Sequence, residues 1–269
     1  MQPILSSEII RKIQHALKLG KKEINVSLDL GKTTTKLQLT EEGPLVERNT
    51  IKLPKVRDKD KSCYLIKGKS IEKMQYMSET TGEFYKLIPT SGRPLLQISG
   101  TSMHKQPFVE RIEKEKLKGN VLDAGTGLGY TAMAAAKTAK QVTTIEHDPT
   151  IVILQKLNPW SQELFTRKNI TCLEGDAPDL IKKIPKESFD AIVYDAGTPR
   201  SSGDFFSTEN YAETYRILKR NGKIYHYLPQ PQVKQGRDFA GEIVKRLLEL
   251  GFTILERNEQ DCYIIVQKQ

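Results

Sequence analysis

The first third of the chain alternates hydrophobic and polar residues in short runs that turn residues separate. The stretch INVSLDLGKTTTKLQLT alternates on both sides of Gly31 and Lys32, which is typical of a β-hairpin that turns at this pair. RNTIKLPKV, KSCYLIKG and GEFYKLIPT continue the alternation. The N-terminal stretch MQPILSSEIIRKIQHALKLGKK spaces apolar and basic residues at a helical period instead. One helix is therefore predicted ahead of a small β-rich domain.

From Gly119 onward the pattern changes to apolar strands that alternate with helices. The predicted strands are NVLDAG, QVTTIEHD, NITCLEGD, FDAIVYDAG, GKIYHYLP, FTILERN and DCYIIVQKQ. Apolar strands separated by helices indicate a parallel sheet that is covered on both faces. The last two strands have no helix between them, so the final strand is predicted to be antiparallel. The class is therefore α/β, with an accessory domain at residues 1–98 and the α/β domain at 99–269.

Charge is unevenly distributed along the chain. The formal net charge is +9, and the first 100 residues hold 18 Lys and Arg against 11 Asp and Glu, whereas the other 169 hold 24 against 22. A basic region beside a nearly neutral one indicates an accessory surface that meets a polyanion. A solvated basic surface without a partner is the alternative.

Composition also excludes several classes of protein. With 38% hydrophobic residues the chain can bury a core, and it has no apolar run of the roughly 20 residues that span a bilayer. The N-terminus lacks the apolar core and cleavage site of a signal peptide. Cys63, Cys172 and Cys262 lack metal-ligand spacing. We therefore expect reduced structural thiols, no metal, no membrane partner and a cytoplasmic location.

A glycine-rich turn follows the first strand of the α/β domain. VLDAGTGLGYTAM places Gly125, Gly127 and Gly129 between strand and helix, where backbone without Cβ atoms lets a ligand approach closely. The spacing is G-x-G-x-G instead of the dinucleotide pattern G-x-G-x-x-G, and Asp123 lies two residues before the first glycine. A carboxylate there disfavours a pyrophosphate and suits a ligand with an ammonium group and no phosphate.

The next two strands also end in acidic residues. TIEHD places Glu146 at the end of the second strand, where a carboxylate can accept both hydroxyls of a ribose. LEGDA places Asp176 and Ala177 at the end of the third, where they can bond the edge of an adenine. Together these strand ends predict an adenosine that carries an amino-acid tail. The alternative for a single acidic residue is a helix N-cap, which both Asp148 and Asp176 fit.

Residues from about 100 to 269 resemble the Rossmann-like S-adenosylmethionine-dependent methyltransferases, whose mostly parallel seven-stranded sheet has an antiparallel last strand. The resemblance implies S-adenosylmethionine as the cofactor. The positions that it assigns to this cofactor are Asp123, Gly125, Thr126, Gly127, Gly129, Glu146, His147, Asp176 and Ala177. In this assignment the aspartate and the glycine turn hold the methionine portion, the glutamate binds the ribose, and the last three lie at the adenine.

A narrower resemblance is to a family of archaeal methyltransferases. The strings that carry it are SGTSMH, GLGYTA, LNPWS, SFDAIVYD and GRDFAGEIVKRL. In that family a small β-rich domain precedes the catalytic domain, and RNA is the expected substrate. The resemblance covers nearly the whole chain and implies methyl transfer to a nitrogen or oxygen nucleophile of rRNA or tRNA, with the basic N-terminal region as the part that binds RNA.

The stretch IVYDAGTPRS ends the fourth strand of the domain on Asp195. In the fold of this family that strand end lies at the transferred methyl group, so Asp195 is expected to orient the acceptor or to take its proton. Methyltransferases of exocyclic amines carry Asp or Asn, two prolines and an aromatic residue here, and the archaeal relatives read close to Asp-Pro-Pro-Arg. This chain continues with Ala196 and Gly197 and displaces Pro199 and Arg200, which weakens the case for a base amino group as acceptor. The alternative role for Asp195 is a cap of the following loop.

Further candidates for contact with the acceptor lie outside the main motifs: Arg200, His104 and Arg237. His104 precedes the first strand of the domain, and Arg237 lies beside a glycine in KQGRDF, where it fits a phosphate contact. The fifth strand ends in Tyr225, His226 and Tyr227. One of these can line an acceptor pocket, although most residues at such positions belong to the core.

Other functions fit parts of the pattern. Spermidine synthase-like aminopropyltransferases share nearly the same fold, but their polycationic substrate is repelled by a chain of pI 9.3. A nucleic-acid binder that keeps only the fold has no need of four acidic residues at the strand ends. LDLGKTTTK resembles the phosphate hairpin of sugar kinases and actin-like ATPases, but the other nucleotide motifs of that fold are missing, so a structural hairpin is favoured.

Overall fold

The computed structural model of the protein describes residues 2–103, 106–195, 203–228 and 238–269. By their internal contacts these residues fall into two units. The first unit lies within Met1–Met103 and Ile153–Gln162, and the second lies within His104–Val152 and Glu163–Gln269. Each unit contains a hydrophobic core of its own. None of the helices in the described ranges is long and apolar enough to cross a membrane.

Short antiparallel strands build the first unit. Its elements before residue 104 are β1 (Ile4–Ser6), α1 (Ser7–Lys18), β2 (Glu23–Val26), β3 (Thr35–Thr40), β4 (Gly43–Val46), β5 (Asn49–Thr50), β6 (Cys63–Lys67), β7 (Ser70–Lys73), β8 (Gln75–Met77), β9 (Phe84–Ile88), β10 (Leu95–Ile98) and β11 (Thr101–Ser102). The strands form sheets in the orders β1-β6-β7, β2-β3-β4-β5 and β11-β10-β9-β8. The β-rich character expected from the alternating pattern is confirmed.

Helix α1 begins at a serine cap and buries one face. The hydroxyl of Ser6 accepts a hydrogen bond from the backbone N–H of Ile9 (3.2 Å). Ile10, Ile13 and Ala16 recur at the helical period and are buried in the core of the unit. The predicted N-terminal helix is therefore present. The short strand β1 ahead of it was not predicted, because three residues carry no periodicity.

The predicted hairpin forms between β2 and β3, but its turn is wider than expected. Val26 pairs with Thr35, so residues 27–34 connect the strands instead of a two-residue Gly-Lys turn. Asp29 stabilises this wider loop by accepting hydrogen bonds from the backbone N–H (2.9 Å) and the hydroxyl (2.7 Å) of Thr33. Its carboxylate thus serves its own loop, in keeping with the structural role favoured for LDLGKTTTK.

The second unit contains a seven-stranded sheet with helices between its strands. The elements from residue 106 onward are α2 (Gln106–Glu115), β12 (Asn120–Ala124), α3 (Tyr130–Ala135), β13 (Gln141–Glu146), α4 (Pro149–Leu157), α5 (Glu163–Thr166), β14 (Ile170–Glu174), α6 (Ala177–Lys182), β15 (Phe189–Tyr194), α7 (Thr208–Ile217), β16 (Leu218–Tyr227), α8 (Phe239–Glu249), β17 (Phe252–Asn258) and β18 (Tyr263–Lys268). Helix α4 continues into the segment that groups with the first unit. Short 3₁₀ turns lie at Pro159–Ser161 and Gly203–Phe206.

The sheet order is β14-β13-β12-β15-β16-β18-β17. Strands β12 to β16 pair in parallel, whereas β18 pairs antiparallel with both β16 and β17. The α/β class and the antiparallel last strand are therefore confirmed. Strand β15 is central, and its residues Ile192, Val193 and Tyr194 have no solvent exposure. Parallel strands bring their carboxyl ends to one edge, and the predicted site residues follow these ends.

Candidate active site

The strand register places the ends of four neighbouring strands side by side. Ala124, the last residue of β12, pairs with Ile145 of β13 and with Tyr194 of β15. Tyr194 in turn pairs with His226 of β16. The backbone N–H of Asp195 continues this arrangement by donating to the carbonyl of Ala124 (3.1 Å). The two stretches that share the letters DAGT, at 123–126 and 195–198, therefore begin at adjacent strand ends.

The glycine-rich turn is fixed against the end of β13. The backbone N–H groups of Gly125 (3.3 Å) and Thr126 (3.0 Å) both donate to the carbonyl of Ile145. Gly125, Gly127 and Gly129 have φ values of 92°, 51° and 78°, in the left-handed region that favours glycine. A Cβ atom on Gly129 would come within 2.9 Å of the Leu164 side chain. The three glycines therefore satisfy backbone requirements of the turn.

Asp123 lies beneath this turn, fully buried at the end of β12. Its Oδ2 accepts a hydrogen bond from the hydroxyl of Thr144 (2.7 Å). Because the single hydroxyl proton of Thr144 is used in this bond, the hydroxyl of Thr126, 2.6 Å away, donates to Thr144. The other oxygen, Oδ1, accepts no hydrogen bond of good geometry among the described residues, although the buried hydroxyl of Thr131 lies close enough to lower the pKa of Asp123. Burial raises the pKa of Asp123 to about 7.

A buried carboxylate oxygen without a partner is costly, and a cationic or hydrogen-bond-donating ligand would relieve this cost. The arrangement at Asp123 therefore fits an ammonium group.

Glu146 ties the end of β13 to the glycine-rich turn. Its Oε2 accepts from the backbone N–H of Gly127 (2.8 Å), and its Oε1 accepts from that of Asp148 (3.0 Å). The side chain is buried, and burial raises its pKa to about 7 although these hydrogen bonds act in the opposite direction. Each carboxylate oxygen has a second lone pair, so the group can still accept ribose hydroxyls. Ribose binding by Glu146 stays a prediction.

The two acidic residues that fit a helix cap differ. Asp148 is buried, and its Oδ1 accepts from the backbone N–H of Thr150 (2.8 Å) at the start of α4, so it is a cap. Asp176 occupies the N-cap position of α6 but makes no side-chain cap bond, and it is exposed. Its carboxylate is therefore open to solvent beside Ala177, which is buried. His147, the residue predicted beside the adenine, is also exposed.

Asp195 follows β15, next to Asp123. The residue is partly exposed; burial of its carboxylate raises its pKa to about 7, and the negative charge of Asp123 acts in the same direction. The charge of Asp123 therefore makes ionisation of Asp195 more costly. A carboxyl group with a pKa near neutrality exchanges protons readily at physiological pH.

Tyr227 is a further candidate for the site, one of three residues that the sequence assignment left open. It ends β16, one residue past the pair Tyr194–His226, so it lies beside Asp195 at the sheet edge. Burial raises the pKa of Tyr227 to about 12, with smaller contributions from Cys262 and then from the charge of Asp195. The centroid of its ring lies 5.8 Å from the centroid of the Phe108 ring on α2. The sequence signal for this residue was its position at the end of the predicted fifth strand, and the observed order β15-β16 makes that end a neighbour of the end of the fourth.

His226, in contrast, belongs to the core. Its Nδ1 lies 2.6 Å from the carbonyl oxygen of Tyr227, so this nitrogen carries the proton, and Nε2 accepts from the hydroxyl of Tyr211 (2.8 Å). Burial lowers the pKa of His226 to about 4, which keeps the ring neutral. The ring also stacks on that of Tyr194, with centroids 5.0 Å apart. This neutral histidine supports the ends of β15 and β16 from behind the site.

Three candidates, Arg200, His104 and Arg237, lie outside the described residues, as do residues 196–199 of the DAGTPR stretch. Within the described ranges, no group of three or more His, Cys, Asp and Glu side chains is arranged to hold a metal ion.

Comparison with known proteins agrees with the fold of the second unit. Residues 122–226, which run from within β12 to within β16, match the family described as "Methyltransferase domain". Two solved spermidine synthases are similar in fold. One, in complex with the transition-state analogue AdoDATO, has a TM-score of 0.60 at 16% identity over 74% of this chain and 76% of the other. The enzyme of Thermotoga maritima has a TM-score of 0.56 at 16% identity over 74% of each chain. At this identity the likeness shows the fold alone.

A relative matches along almost the entire chain. It is an uncharacterized protein of Methanocaldococcus jannaschii, MJ1233, with 32% identity over 284 residues, 98% of this chain and 95% of the relative. The chain therefore belongs to the same family as this protein, and its residues 122–226 match the methyltransferase-domain model.

Proposed function

We propose that the protein transfers a methyl group from S-adenosylmethionine to a nitrogen or oxygen nucleophile of RNA. The observation that carries the proposal is the buried Asp123 carboxylate, which leaves Oδ1 without a partner directly beside the glycine-rich turn of the methyltransferase domain. Such an oxygen suits the ammonium group of an amino-acid tail. The alternative substrates are a protein or a small molecule, and the charge distribution of the chain does not favour either of them in the same way.

The residues at the strand ends fit the remaining parts of this cofactor. Gly127 and its neighbours present backbone to the ligand, and Glu146 would accept hydrogen bonds from the ribose. Asp176 and Ala177 would bond the adenine edge, with His147 beside the ring. A phosphate-bearing dinucleotide fits less well, because the buried carboxylates of Asp123 and Glu146 would repel it.

When bound, S-adenosylmethionine would supply an electrophilic methyl group, and S-adenosylhomocysteine would leave as the carbon–sulfur bond breaks. Asp195 would orient the acceptor so that its lone pair faces this carbon, and it would take the proton that the nucleophile loses. A pKa of about 7 leaves much of the Asp195 carboxyl ionised and able to accept that proton at neutral pH. The hydroxyl of Tyr227, at the adjacent strand end, would add a hydrogen bond to the acceptor.

RNA is proposed on the basis of charge. The first 100 residues carry a surplus of seven positive charges, which is the distribution that a phosphate backbone attracts. The resemblance to archaeal methyltransferases points the same way.

Aminopropyl transfer is the second candidate, because solved spermidine synthases share the fold over about three quarters of this chain. The methyltransferase-domain match and the basic pI of 9.3 favour methyl transfer to a polyanion over transfer to a polyamine.

Calorimetry with S-adenosylmethionine, followed by transfer assays, tests the proposal. We expect the cofactor to bind and Asp123→Asn to weaken it at least tenfold. The matched control Asp190→Asn, at a partly buried aspartate that is paired with Lys219 elsewhere in the unit, should bind like the wild type. Formation of spermidine from putrescine and decarboxylated S-adenosylmethionine, without methylation of RNA, would establish the second candidate instead.

A further inference from the structure

A row of exposed basic side chains lies on one segment of the first unit, and we propose that this row is the surface that binds the RNA backbone. The row, here named the basic strip, comprises Lys52, Lys55, Arg57, Lys59 and Lys61. The inference rests on the proposed function for the nature of the polyanion, and it deepens that function by assigning RNA affinity to particular residues.

The backbone of this segment is fixed by side chains of α1. The amide Nε2 of Gln14 donates to the carbonyl oxygen of Pro54 (2.9 Å). One turn earlier on the same helix face, the guanidinium of Arg11 donates to the carbonyl oxygen of Arg57 (3.0 Å). These bonds run from helix side chains to the main chain of the segment, so they leave the basic side chains of the strip free to face solvent. A strip on a fixed backbone loses less entropy on binding than a disordered basic tail.

The C-terminal end of the segment is fixed at Asp60. The hydroxyl of Ser7 donates to the Asp60 carbonyl oxygen (2.6 Å). The Asp60 carboxylate accepts from the hydroxyls of Ser62 (2.5 Å) and Tyr64 (2.7 Å), and Lys73 lies 3.7 Å away. The charge of Asp60 is therefore used within the fold and does not neutralise the strip. Asp58 is the exposed acid between the ends of the strip.

The apolar residues of the segment face inward. Leu53 and Val56 pack against the core of the first unit, while the basic residues on either side of them are exposed. In the described part of the chain, none of the five basic side chains takes part in an ion pair. Counterions that accompany these charges and the phosphates would be released when RNA binds, which favours association.

The strip suits a phosphate backbone better than a membrane surface. Membrane binding by a basic segment is usually supported by apolar side chains that enter the lipid. Here the large apolar residues of the segment are turned toward the core, and none of them is among the exposed large hydrophobic side chains of the described residues. The strip consists of basic residues without aromatic neighbours in its segment. Its affinity for RNA should therefore depend strongly on salt concentration and little on base sequence.

Fluorescence anisotropy with a labelled oligouridine of about 20 nucleotides tests the inference on the full-length protein. The test variant is Lys52→Gln/Lys55→Gln/Lys59→Gln. The matched control, Lys18→Gln/Lys21→Gln/Lys22→Gln, removes the same charge from other exposed lysines of the first unit, which likewise form no ion pair among the described residues. Thermal unfolding verifies that both variants fold.

We expect the strip variant to lose at least about tenfold in RNA affinity and the control to lose less than about threefold. Three lost phosphate contacts should also lower the slope of log affinity against log salt by about 2, measured between about 50 and 200 mM KCl. Equal effects of the two variants would overturn the inference, as would strip-dependent binding to phosphatidylserine vesicles without binding to RNA.

Cofactor affinity, measured separately by calorimetry, distinguishes this inference from the proposed function. The protein could bind RNA through the basic strip and fail to bind S-adenosylmethionine. That result would refute the proposed function and support the assignment of the strip. Conversely, the protein could methylate RNA while the strip variant binds RNA as tightly as the wild type. That result would support the proposed function and refute the assignment of the strip.

Discussion

The backbone N–H of Gly127 donates a 2.8 Å hydrogen bond to Oε2 of Glu146. One buried carboxylate thus joins the glycine-rich turn after β12 to the end of β13. The same carboxylate is the predicted acceptor for the ribose hydroxyls. Glu146 therefore both shapes the turn and would recognise the sugar. Its loss should affect both the stability of the turn and the affinity for the cofactor.

Glu146→Ala should cost about 1–3 kcal/mol of S-adenosylmethionine affinity, because the ribose loses a charged acceptor. The substitution should also lower the free energy of unfolding, since the backbone N–H groups of Gly127 and Asp148 lose their hydrogen-bond acceptor. Calorimetry and urea unfolding measure the two effects. Glu174→Ala is the matched control, because Glu174 pairs with Glu146 in the sheet register but is exposed. Cofactor binding that both variants leave unchanged would refute the ribose assignment.

Gly127→Val should abolish cofactor binding and leave the fold largely intact. Its φ of 51° strains a β-branched residue, and the new side chain would occupy the approach to the turn. Gly68→Val provides the control for strain, since Gly68 has a φ of 59° and open space around it. Both variants should lose roughly 1–2 kcal/mol of stability. If Gly127→Val binds the cofactor normally in calorimetry, the pocket lies elsewhere.

The raised pKa of Asp123 predicts a particular dependence of stability on pH. The pKa of Asp123 is about 7 in the folded state and 3.8 for an ordinary aspartate, so between these pH values the folded state binds more protons than the unfolded state. The free energy of unfolding therefore falls as pH rises through this window, and the effect is complete above about pH 7. Asp123→Asn removes this titration, so the stability of the variant relative to wild type should rise by about 2–4 kcal/mol from pH 5 to pH 8.

Urea unfolding at both pH values measures this difference. Asp190→Asn is a suitable control, because the Asp190 carboxyl has a lowered pKa, mainly through its hydrogen bond with Lys219, and stays ionised at both pH values. Its stability relative to wild type should not change between them. If the stability of Asp123→Asn relative to wild type is also the same at pH 5 and pH 8, Asp123 is not a buried group that titrates near neutrality.

Tyr227→Phe should slow methyl transfer by about 2–10-fold, the effect of losing one hydrogen bond to the acceptor, while cofactor affinity stays at the wild-type value. Tyr225→Phe is the control on the same strand, because the Tyr225 hydroxyl donates to Glu115 (2.8 Å) away from the strand end. That variant should lose stability but keep its rate. Rates of both variants equal to that of the wild type would place Tyr227 outside the acceptor pocket.

Much of the fold could be predicted from periodicity. The apolar strands of the second unit and the missing helix before β18 were sufficient for the parallel sheet and its antiparallel strand. The hairpin between β2 and β3 was predicted as well, but its turn was not. Gly31 and Lys32 form a local turn signal, whereas the eight-residue connection depends on the hydrogen bonds of Asp29 to Thr33, which no periodicity reveals.

The site was partly predictable for the same reason. Acidic residues at strand ends are visible in the sequence, and the parallel sheet brings them to one edge. The sequence could not reveal that Asp148 is a cap while Asp176 makes no cap bond, because both occupy the same type of position. It also could not separate Tyr227 from His226, since only the register decides which of two neighbours faces the core.

The catalytic assignment of Asp195 is tested most directly by transfer of a labelled methyl group from S-adenosylmethionine to RNA from cells that lack the protein. We predict that wild-type protein labels this RNA, and that Asp195→Asn lowers the rate by roughly 10²–10⁴. Cofactor affinity of the variant should stay within a few tenths of a kcal/mol, because the side chain is assigned to the acceptor. Absence of label from the RNA, or a near wild-type rate for Asp195→Asn, would contradict the account.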